Sequence, residues 1–555
     1  MNNFFLNITK NRLLVFVLII TFFTHLTYLP NGFTWLDHND IEERKAILQV
    51  KDLGGVFFIP FGQTNFYRPL VTIVNSIDHA IYGNWAPGYH ITNLALHLSV
   101  TASTFLFLSI FWDLKLKEKV LASLIFGLHP YSILIVGSIV QRQESLLVLF
   151  VILGLYLHAL ARKKDNLGMK VLAIFTFALG FFTKETALFV IPALIVIWEF
   201  FYRQNLKQGL RFWFWEILLM GVYIVLRMSA VPQFWGTGAL PLPFNEWVGT
   251  RILLLGKFLF GLINPFKPNF SDAIEIVGID DLRVILILLV FILTLVFIFR
   301  SKLKSSIAYA ILITAILLLP SADILPVPRV ASAHYGYLAT IGFSVALVSI
   351  LKNLRGNLKK LGKVVVTLWL TIAAFVSFTG GFQFKSDLTL FEPEIRSDPN
   401  FVEAYYFLGK YYLGERNIDA AEIIFQEGLK LDTSDLLVFD NKALVAANLG
   451  SIKFEKGNFV EAQYLYDEAL VNATESLVPY IYFNQALIAQ KKGDLDKVIS
   501  LLEGREWTLP EPYLLLAGSY RQKGDKNKEI ETLRKVLPLL PEKERANFEN
   551  YMEGQ

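Results

Sequence analysis

The chain has 555 residues, of which 54% are hydrophobic and 18% are charged, and its mean hydropathy is +0.46. A soluble protein of this size needs more surface charge, so the composition excludes a wholly soluble chain and predicts that most of it lies in lipid. The formal net charge of +4 gives no indication of a nucleic-acid partner. Cysteine is absent, which excludes disulfides, thiol nucleophiles and cysteine-based zinc sites.

Apolar runs long enough to cross a bilayer recur through the first two thirds of the chain. The first run follows Lys10 and Arg12 and could be a signal peptide. Its end, Thr27 to Pro30, lacks a small-x-small cleavage pattern, so we interpret the run as an uncleaved membrane helix. About eleven runs are predicted to span the membrane: 13–30, 91–112, 120–138, 144–161, 170–183, 186–202, 212–229, 283–299, 306–320, 337–351 and 364–380.

A twelfth run, 250–264, is short and ends at Asn264-Pro265. If this run does not cross, the positive-inside rule places every basic loop cluster in the cytoplasm; if it does, the last two clusters move outside. We therefore predict a re-entrant or interfacial segment. An odd number of crossings then places on the outer face the loops 31–89, 230–281 and 321–336 and the whole C-terminal region.

From Val402 onward the sequence changes to pairs of amphipathic helices with a recurring signature. Glycines at 457, 493 and 524 recur at uneven intervals that bracket a repeat of about 34 residues. Three or four such repeats predict a helical solenoid with a surface for a peptide or protein; the alternative is a generic helical bundle. The residues typical of a tetratricopeptide repeat are Tyr405, Leu408, Gly409, Tyr412, Ala421 and Phe425.

The loop after the first apolar run carries an acidic motif, with Asp37, His38 and Asp40 close together. A carboxylate beside a histidine suits a general base with an orienting partner. The same residues could instead bind a divalent cation such as Mg²⁺ or Mn²⁺, or form a solvated acidic turn that caps a helix. The sequence leaves these three interpretations open.

Cationic side chains stand at the outer ends of several predicted helices: Arg68, Arg142, Lys184, Arg329 and His334. Charges in apolar surroundings are costly and mark a functional site or a buried ion pair. Arg68 could instead anchor lipid headgroups, and the pairs Arg142 with Glu144 and Lys184 with Glu185 could be structural. Together with the acidic motif, the cations suit group transfer from a phosphate-linked donor.

These motifs resemble the C-type glycosyltransferase superfamily, most closely the transmembrane and tetratricopeptide-repeat protein O-mannosyltransferases. The resemblance covers nearly the whole chain and depends on the order and spacing of short motifs. Besides the acidic loop and the repeats, the motifs are Tyr67 to Leu70, Gly88 to His97, Leu128 to Pro130, Gln141-Arg142, Thr183 to Glu185 and Tyr337 to Gly342.

The resemblance implies an all-α fold with a polytopic membrane domain over 1–381, a linker over 382–401 and a repeat solenoid over 402–555. It also implies a polyprenyl-phosphate sugar as donor, commonly mannose, and a hydroxyl group as acceptor. Asp37 matches the position of the catalytic base. Relatives carry a second, adjacent acid where this chain has His38, so Asp40 is the substitute candidate. Near the last outer loop, relatives carry a pair that resembles Glu-Arg, whereas this chain has Ala333-His334 at that position.

The sequence therefore predicts an inverting glycosyltransferase that acts at the outer membrane face on a protein or glycan. We expect Arg68, Arg142, Lys184, Arg329 and His334 to bind the donor phosphate, and Tyr405 and Tyr412 to contact the acceptor. The alternatives are a non-catalytic membrane scaffold and a transferase for lipid or polysaccharide whose repeats recruit another protein. The expected location is a bacterial inner membrane, with the repeats in the periplasm.

Overall fold

The computed structural model describes residues 2–43, 54–61, 66–202, 206–231, 242–300, 306–322, 329–438, 441–541, 543–545 and 548–549. The chain forms two compact units. The first is Met1–Phe401 with Thr433–Phe439, and the second is Val402–Asp432 with Asp440–Gln555. Nearly all regular structure in the described residues is helical, which confirms the predicted all-α fold.

In its described residues the first unit consists of helices of very different lengths and one two-stranded sheet. Strands β1 (Ile274–Glu275) and β2 (Leu436–Leu437) pair antiparallel, with Ile274 opposite Leu437. The helices are α1 Asn2–Thr24, α2 Pro69–Tyr82, α3 Ala86–Phe111, α4 Leu116–Gly127, α5 Ser132–Gly137, α6 Arg142–Lys164, α7 Leu167–Phe181, α8 Ala187–Tyr202, α9 Leu206–Ala230, α10 Phe244–Ile263, α11 Leu282–Arg300, α12 Ser306–Leu318, α13 Thr340–Asn353, α14 Gly356–Gly380 and α15 Asp387–Ser397.

The protein is a membrane protein, because five of its described helices are long and apolar enough to cross a bilayer. Five shorter apolar helices accompany them, so the predicted number of about eleven crossings is not confirmed. The long spans are Ala86–Phe111, Arg142–Lys164, Trp213–Ala230, Leu282–Arg300 and Gly356–Lys385, and the shorter helices are Asn11–Thr24, Leu167–Phe181, Ala187–Glu199, Ser306–Ala322 and Thr340–Asn353.

The long helices divide into central and peripheral ones. In α3 and α6, 61% and 67% of the most apolar segment is buried inside the protein, whereas in α11 only 11% is buried. The segment of α11 is also the most hydrophobic of the five, with a mean hydropathy of 3.1. An apolar surface that the protein does not cover is the surface that lipid covers. We infer that α3 and α6 form the core and that α11 lies at the lipid boundary.

The predicted span 120–138 is not one helix. It is divided into α4 and α5, which have 12 and 6 residues, with His129 and Pro130 between them. Proline has no N–H to donate and disfavours helical backbone in the residue before it, so the helix ends before Pro130. Every residue of the short helix α5 is buried. This segment is therefore an internal, broken element of the unit and not one continuous helix.

The region predicted as a linker, 382–401, is instead packed against the first loop. Ser386 caps α15 by accepting a hydrogen bond from the Thr389 N–H at 3.4 Å. Trp35 meets the rings of Phe391 and Phe401 edge-on, with centroids 6.1 and 6.4 Å away. These three aromatic side chains are almost completely buried, and their burial stabilises α15 against the loop. The linker prediction is thus wrong for this segment.

Helix α10 contains the run 250–264, which is predicted to be re-entrant or interfacial and not to cross the membrane. Its carbonyl groups at Phe258 and Leu262 accept hydrogen bonds from the Tyr131 hydroxyl and the His129 ring, both at 3.1 Å. The helix also carries Lys257, whose ammonium donates to the carbonyl of Ser271 at 3.1 Å. These contacts anchor α10 to the connection between α4 and α5. Its re-entrant or interfacial placement stays a prediction.

The second unit is built from helical pairs, each joined by a tight turn. Gly457, Gly493 and Gly524 have φ of +79°, +75° and +78°, where glycine is favoured because it has no Cβ. The next residue, Asn458, Asp494 or Asp525, caps the second helix of each pair. The helices are α16 Val402–Gly414, α17 Ile418–Leu429, α18 Lys442–Glu455, α19 Phe459–Val471, α20 Val478–Lys491, α21 Leu495–Leu502, α22 Pro510–Gln522 and α23 Lys526–Val536.

Candidate active site

The acidic motif of the first loop folds into a tight turn that buries Asp37 completely. One carboxylate oxygen of Asp37 accepts hydrogen bonds from the Val140 N–H at 2.9 Å and the Ser138 hydroxyl at 3.3 Å. The other oxygen accepts from the Thr34 N–H at 3.4 Å. The loop is thereby attached to the connection between α5 and α6.

Burial raises the pKa of Asp37 to about 7, although hydrogen bonds from backbone N–H groups, including that of Val140, oppose the rise. A carboxyl group with a pKa near the working pH can both accept and release a proton, which is the property a general base needs. In this conformation Asp37 has no exposed surface. A substrate hydroxyl must therefore displace one of its present donors to reach it.

His38 lies between two carboxylates. Its Nδ1 is 2.6 Å from Glu42 Oε2, and its Nε2 is 3.2 Å from Asp387 Oδ2. Burial lowers the pKa of His38, but the hydrogen bonds and charges of Asp387 and Glu42 outweigh that effect and raise it to about 9. His38 is thus a cation at neutral pH. It stands beside Asp37 in the position where relatives were expected to carry a second acid.

Asp387 was missed by the sequence analysis because it lies at the start of α15, in the predicted linker. Besides contacting His38, it accepts a hydrogen bond from the Trp35 N–H at 2.7 Å. Trp35 has a φ of +56°, a conformation that is costly for a side chain of this size. Asp387 therefore holds the loop in a strained conformation. Asp40, the predicted second acid, is half-buried in the same turn, and Glu42 contacts the imidazole of His38.

Arg68 is the first of the predicted phosphate-binding cations. It is 7% exposed, and its Nε donates to Glu185 Oε2 at 3.1 Å while Nη1 donates to Gln143 Oε1 at 2.5 Å. Its guanidinium group also lies 4.0 Å from the centre of the Phe66 ring. Glu185 fixes the local backbone too, because it accepts from the Tyr67 N–H at 2.8 Å. Arg68 is therefore rigidly placed.

Lys184 and His334 meet around Glu144. Lys184 forms an ion pair with Glu144, and its ammonium lies 4.8 Å from the centre of the Tyr335 ring. His334 Nε2 is 3.7 Å from Glu144 Oε1, and its Nδ1 is 2.8 Å from the Ser332 hydroxyl. The sequence left open a structural pair of Lys184 with Glu185, and the structure shows a different ion pair. Glu144 pairs with Lys184, and Glu185 pairs with Arg68.

Positive charge dominates around His334. Burial lowers its pKa well below the usual value, and the charges of Lys184, Arg329 and Arg68 lower it further. Glu144 is close enough to favour the protonated ring, but the ion pair with Lys184 already neutralises its negative charge. His334 is therefore neutral at pH 7. We call the three cations Arg68, Lys184 and Arg329, together with the neutral His334, the cation group, and the structure brings these four predicted residues together.

Arg142 does not belong to the cation group. It is completely buried, and its Nη1 donates to Asp78 Oδ2 at 2.6 Å. Its Nε donates to Asn93 Oδ1 at 3.0 Å, and its Nη2 donates to the Tyr89 carbonyl at 3.3 Å. The alternative of a structural pair with Glu144 gives way to an ion pair with Asp78. These contacts connect α2, α3 and α6, so Arg142 is a structural ion pair and no longer a candidate for the phosphate.

One short segment, 138–144, connects the acidic loop with the cation group. Val140 binds Asp37, Gln143 binds Arg68, and Glu144 binds Lys184. Ser138 and Gln143 were not among the predicted site residues. The only feature of the sequence that could have indicated them is that they lie close to Arg142 along the chain. Because the segment opens the central helix α6, it gives the two halves of the site a common rigid support.

The two tyrosines predicted to contact an acceptor lie in the first helical repeat. Tyr405 is 5% exposed, and a Cβ atom built on Gly428 would lie 2.9 Å from its Cβ. Tyr405 is therefore a packing residue of the repeat, and the prediction that it binds an acceptor is not supported by its position. Tyr412 is half-buried, and its ring centre is 5.7 Å from that of Tyr411.

Among the residues that the structure describes, no cluster of three or more His, Asp or Glu side chains is placed to hold a metal ion. In the acidic loop, His38 is engaged with Glu42 and Asp387 as an ion pair. The expectation of Mg²⁺ or Mn²⁺ at this loop thus finds no matching geometry in the part of the loop that the structure describes.

These features define a polytopic helical membrane protein with a buried acidic loop, a cation group and a unit of helical repeats. The tetratricopeptide repeat family model matches residues 402–435 and 510–539. The chain is 23% identical over 452 residues to the protein O-mannosyl-transferase F38B6.6 of Caenorhabditis elegans. It is 20% identical over 450 residues to the protein O-mannosyl-transferase TMTC3 of Homo sapiens.

The matches cover 76% and 73% of this chain, which confirms the predicted resemblance to protein O-mannosyltransferases. They cover 63% of the nematode protein and 49% of the human protein, so this chain spans only part of the length of each. A solved structure, the APC/C hetero-tetramer Cut9-Hcn1, matches at 12% identity with a TM-score of 0.24, over 87% of this chain and 82% of that chain. A TM-score this low supports no argument about function.

Proposed function

We propose that the chain transfers mannose from a polyprenyl-phosphate donor to a hydroxyl group of a protein at the outer face of the membrane. The observation that carries the proposal is the joint attachment of Asp37 and the cation group to segment 138–144. A base and a phosphate site must be held at a fixed separation for group transfer, and one rigid segment achieves this. The names of the relatives support mannose as the sugar and protein as the acceptor.

The cation group binds the donor phosphate in this proposal. Arg68 and Lys184 are buried and held by neighbouring carboxylates, so they offer fixed positive charge with little further loss of side-chain freedom. Neutral His334 supplies a hydrogen bond rather than a charge. When the sugar leaves, the phosphate oxygen gains negative charge, and cations already in place stabilise it.

Asp37 is the base. The acceptor oxygen forms a bond to the anomeric carbon of mannose while the bond from that carbon to the phosphate oxygen breaks. The hydroxyl proton passes to Asp37, and the departing polyprenyl phosphate keeps the electron pair of the broken bond. Attack from the side opposite to the leaving group inverts the configuration. His38, held as a cation beside Asp37, favours the ionised form of the base at the start of the reaction.

The remaining assignments concern domains and location. The unit from Met1–Phe401 carries the chemistry, and the repeats from about 402 bind the acceptor, since stacked helical pairs make an extended binding surface. The basic clusters of the loops support an outward orientation of the acidic loop and the repeats. We place the protein in a bacterial inner membrane, with the repeats in the periplasm.

The proposal is tested by transfer of radiolabelled mannose from synthetic polyprenyl-phosphate mannose to periplasmic proteins, with the purified chain in lipid nanodiscs. Asp37→Asn is expected to lower the rate by a factor of about 10²–10⁴, the usual contribution of a general base. Asp113→Asn is the matched control, because Asp113 is exposed and lies outside the site. Retained donor binding in Asp37→Asn would separate loss of the base from loss of the fold.

The same assay distinguishes an enzyme from a non-catalytic scaffold, the alternative function that the repeats themselves favour. If the unchanged chain transfers no sugar from any lipid-linked donor while the repeats retain a partner protein, the enzymatic proposal is wrong. Transfer that is equally fast in Asp37→Asn would keep the enzyme but reject Asp37 as its base.

A further inference from the structure

Two asparagines occupy the same position in consecutive repeats of the second unit. Asn448 lies two residues before Gly450 in α18, and Asn484 lies two residues before Ala486 in α20. Gly450 and Ala486 are the small residues at which the second helix of each repeat approaches the first. A Cβ on Gly450 would lie 3.1 Å from the Tyr466 ring, and Ala486 is completely buried. The two asparagines are therefore structurally equivalent.

The two carboxamides also have the same hydrogen bonding. Asn448 Nδ2 donates to the Leu444 carbonyl at 2.7 Å, and Asn484 Nδ2 donates to the Tyr480 carbonyl at 2.8 Å. Each bond closes onto the helix's own backbone four residues earlier and fixes the side-chain rotamer. Among the residues that the structure describes, neither amide oxygen has a hydrogen-bond partner. Both side chains are only half-buried, so one acceptor and one N–H of each are available to a ligand.

The faces of α18 and α20 that carry these amides are continuous. The Ser451 hydroxyl lies 2.7 Å from the Tyr480 hydroxyl and 2.9 Å from the Tyr466 hydroxyl, so the two helices touch between the asparagines. The Tyr480 ring is 42% exposed and lies one turn before Asn484. An extended ligand that contacts both amides would therefore also pass an aromatic surface.

The equivalent positions in the outer repeats are apolar. Phe407, two residues before Gly409, is 2% exposed, and Leu515, two residues before Ala517, packs against the core of the last repeat. The polar pair is thus confined to the middle of the unit. We call Asn448, Ser451, Tyr480 and Asn484 the amide face.

We propose that the amide face binds the main chain of an extended segment of the acceptor, independently of the segment's side chains. A carboxamide presents one donor and one acceptor, which is the hydrogen-bonding complement of a peptide group. A polyproline-II segment turns the same side outward every third residue, or about 9 Å, and leaves its backbone groups unpaired. Packed helices lie about 8–10 Å apart, so neighbouring repeats match this spacing.

The identity of this ligand as the acceptor rests on the proposed function, but its binding can be tested separately. The probe is a fluorescent 18-residue peptide of repeating Ala-Thr-Gly, added to the intact chain in nanodiscs and followed by fluorescence anisotropy. The double variant Asn448→Ala, Asn484→Ala is expected to raise Kd about tenfold or more, since each side chain loses its hydrogen bonds to the ligand. Asn472→Ala, at an exposed asparagine after α19, should leave Kd unchanged.

A second peptide removes the complementary group from the ligand. N-methylation at every third residue of the peptide removes the main-chain N–H groups along one side of it. For the unchanged chain this should also raise Kd about tenfold. In the double variant this methylation should have little further effect, because the interaction is already lost. Replacing Thr by Val should change Kd by less than about threefold, since the main chain is what is bound.

Several results would overturn the proposal. These are no saturable binding by the unchanged chain up to millimolar peptide, equal Kd in the double variant, or methylation effects that persist fully in that variant. Tighter, asparagine-dependent binding of a manno-oligosaccharide would assign the amide face to a glycan instead. Because Ala could disturb the helices, Asn448→Asp with Asn484→Asp provides variants of nearly equal size, which should show the same loss with unchanged circular dichroism.

The two proposals can fail separately. If the peptide binds through the asparagines but no mannose is transferred from any lipid-linked donor, the amide face stands and the enzymatic function falls. If transfer depends on Asp37 but is unaffected by the asparagine variants at subsaturating peptide, the enzyme stands and the amide face falls.

Discussion

The two buried arginines of the first unit show how a structural charge differs from a functional one. Arg142 is completely buried and donates to a carboxylate, a side-chain amide and a main-chain carbonyl. Arg68 is nearly as buried, but its partner Glu185 is 20% exposed, and Arg68 lies in a neighbourhood where cations lower the pKa of His334. The hydrogen bonds of Arg142 close inside the protein, whereas Arg68 contributes to a positive field.

The difference follows from the cost of buried charge. A buried charge needs its partners for stability, and once its donors are all used it has nothing to offer a ligand. Several cations held near one another repel, and an arriving phosphate relieves that repulsion. Arg142 and Arg68 should therefore respond in opposite ways to substitution, one in stability and the other in activity.

Removing Arg142 should have the largest effect on stability. Arg142→Gln leaves the Asp78 carboxylate buried without its cation, and breaking one side of a buried ion pair costs about 3–5 kcal/mol. We expect a loss of folded protein, measured by size-exclusion profile and melting temperature in detergent. Asp78→Asn with Arg142→Gln, which removes both charges, should recover part of the loss. A single variant as stable as the unchanged chain would refute the structural role.

Removing Arg68 should affect activity much more than stability. Arg68→Gln keeps a side chain that can bond Gln143, and the partly exposed Glu185 can be solvated, so the melting temperature should fall less than in Arg142→Gln. The rate of mannose transfer should fall about 10²-fold, as expected when a preorganised group that stabilises developing charge is lost. Arg396→Gln, at an exposed ion pair of α15, is the matched control. If Arg68→Gln failed to fold, Arg68 would have a structural role like that of Arg142.

The helical repeats could be predicted from sequence because their determinants are local. Gly409 precedes Phe425 by a fixed interval, and a Cβ on Gly409 would lie 2.2 Å from that ring, so the spacing itself reports the packing. The glycine and capping residue between the helices of a pair are adjacent in the chain. Such a pattern needs no knowledge of the rest of the fold.

The partners in the membrane unit could not be predicted, because the sequence gives no measure of long-range proximity. Arg142 and Asp78 are 64 residues apart, and Trp35 and Asp387 are 352 residues apart. The sequence therefore offers only nearby acids as possible structural partners, whereas Glu144 pairs with Lys184 and Glu185 pairs with Arg68. Arg68, Lys184, Arg329 and His334 lie near one another, as expected for helix ends on one membrane face, and their binding of a phosphate stays a prediction.

His38 combines a feature of the structural Arg142 with a feature of the functional Arg68. It has two carboxylate partners, as a structural charge would, yet its side chain is 31% exposed and it is adjacent to the proposed base. Its protonated form lowers the pKa of Asp37, whose value of about 7 reflects burial opposed by hydrogen bonds and by this charge. Asp387 is therefore a positioning residue that acts on Asp37 through His38.

This role predicts a small but specific change in pH dependence. Transfer requires ionised Asp37, so the rate of the unchanged chain should rise with pH through a midpoint near 7. Asp387→Asn removes one of the two charges that keep His38 protonated, so the pKa of His38 falls and its positive charge is lost at a lower pH. Without that charge the pKa of Asp37 rises, and the midpoint should move upward by about half a pH unit.

A purely structural role for Asp387 would give another result, because loss of loop order lowers the rate at every pH without moving the midpoint. The two are separated by a pH profile of kcat/KM for the unchanged chain, Asp387→Asn and the exposed control Asp113→Asn. Glu42→Gln should move the midpoint in the same direction, since Glu42 is the other carboxylate on His38. A midpoint that stays fixed in both variants would show that His38 does not influence the base.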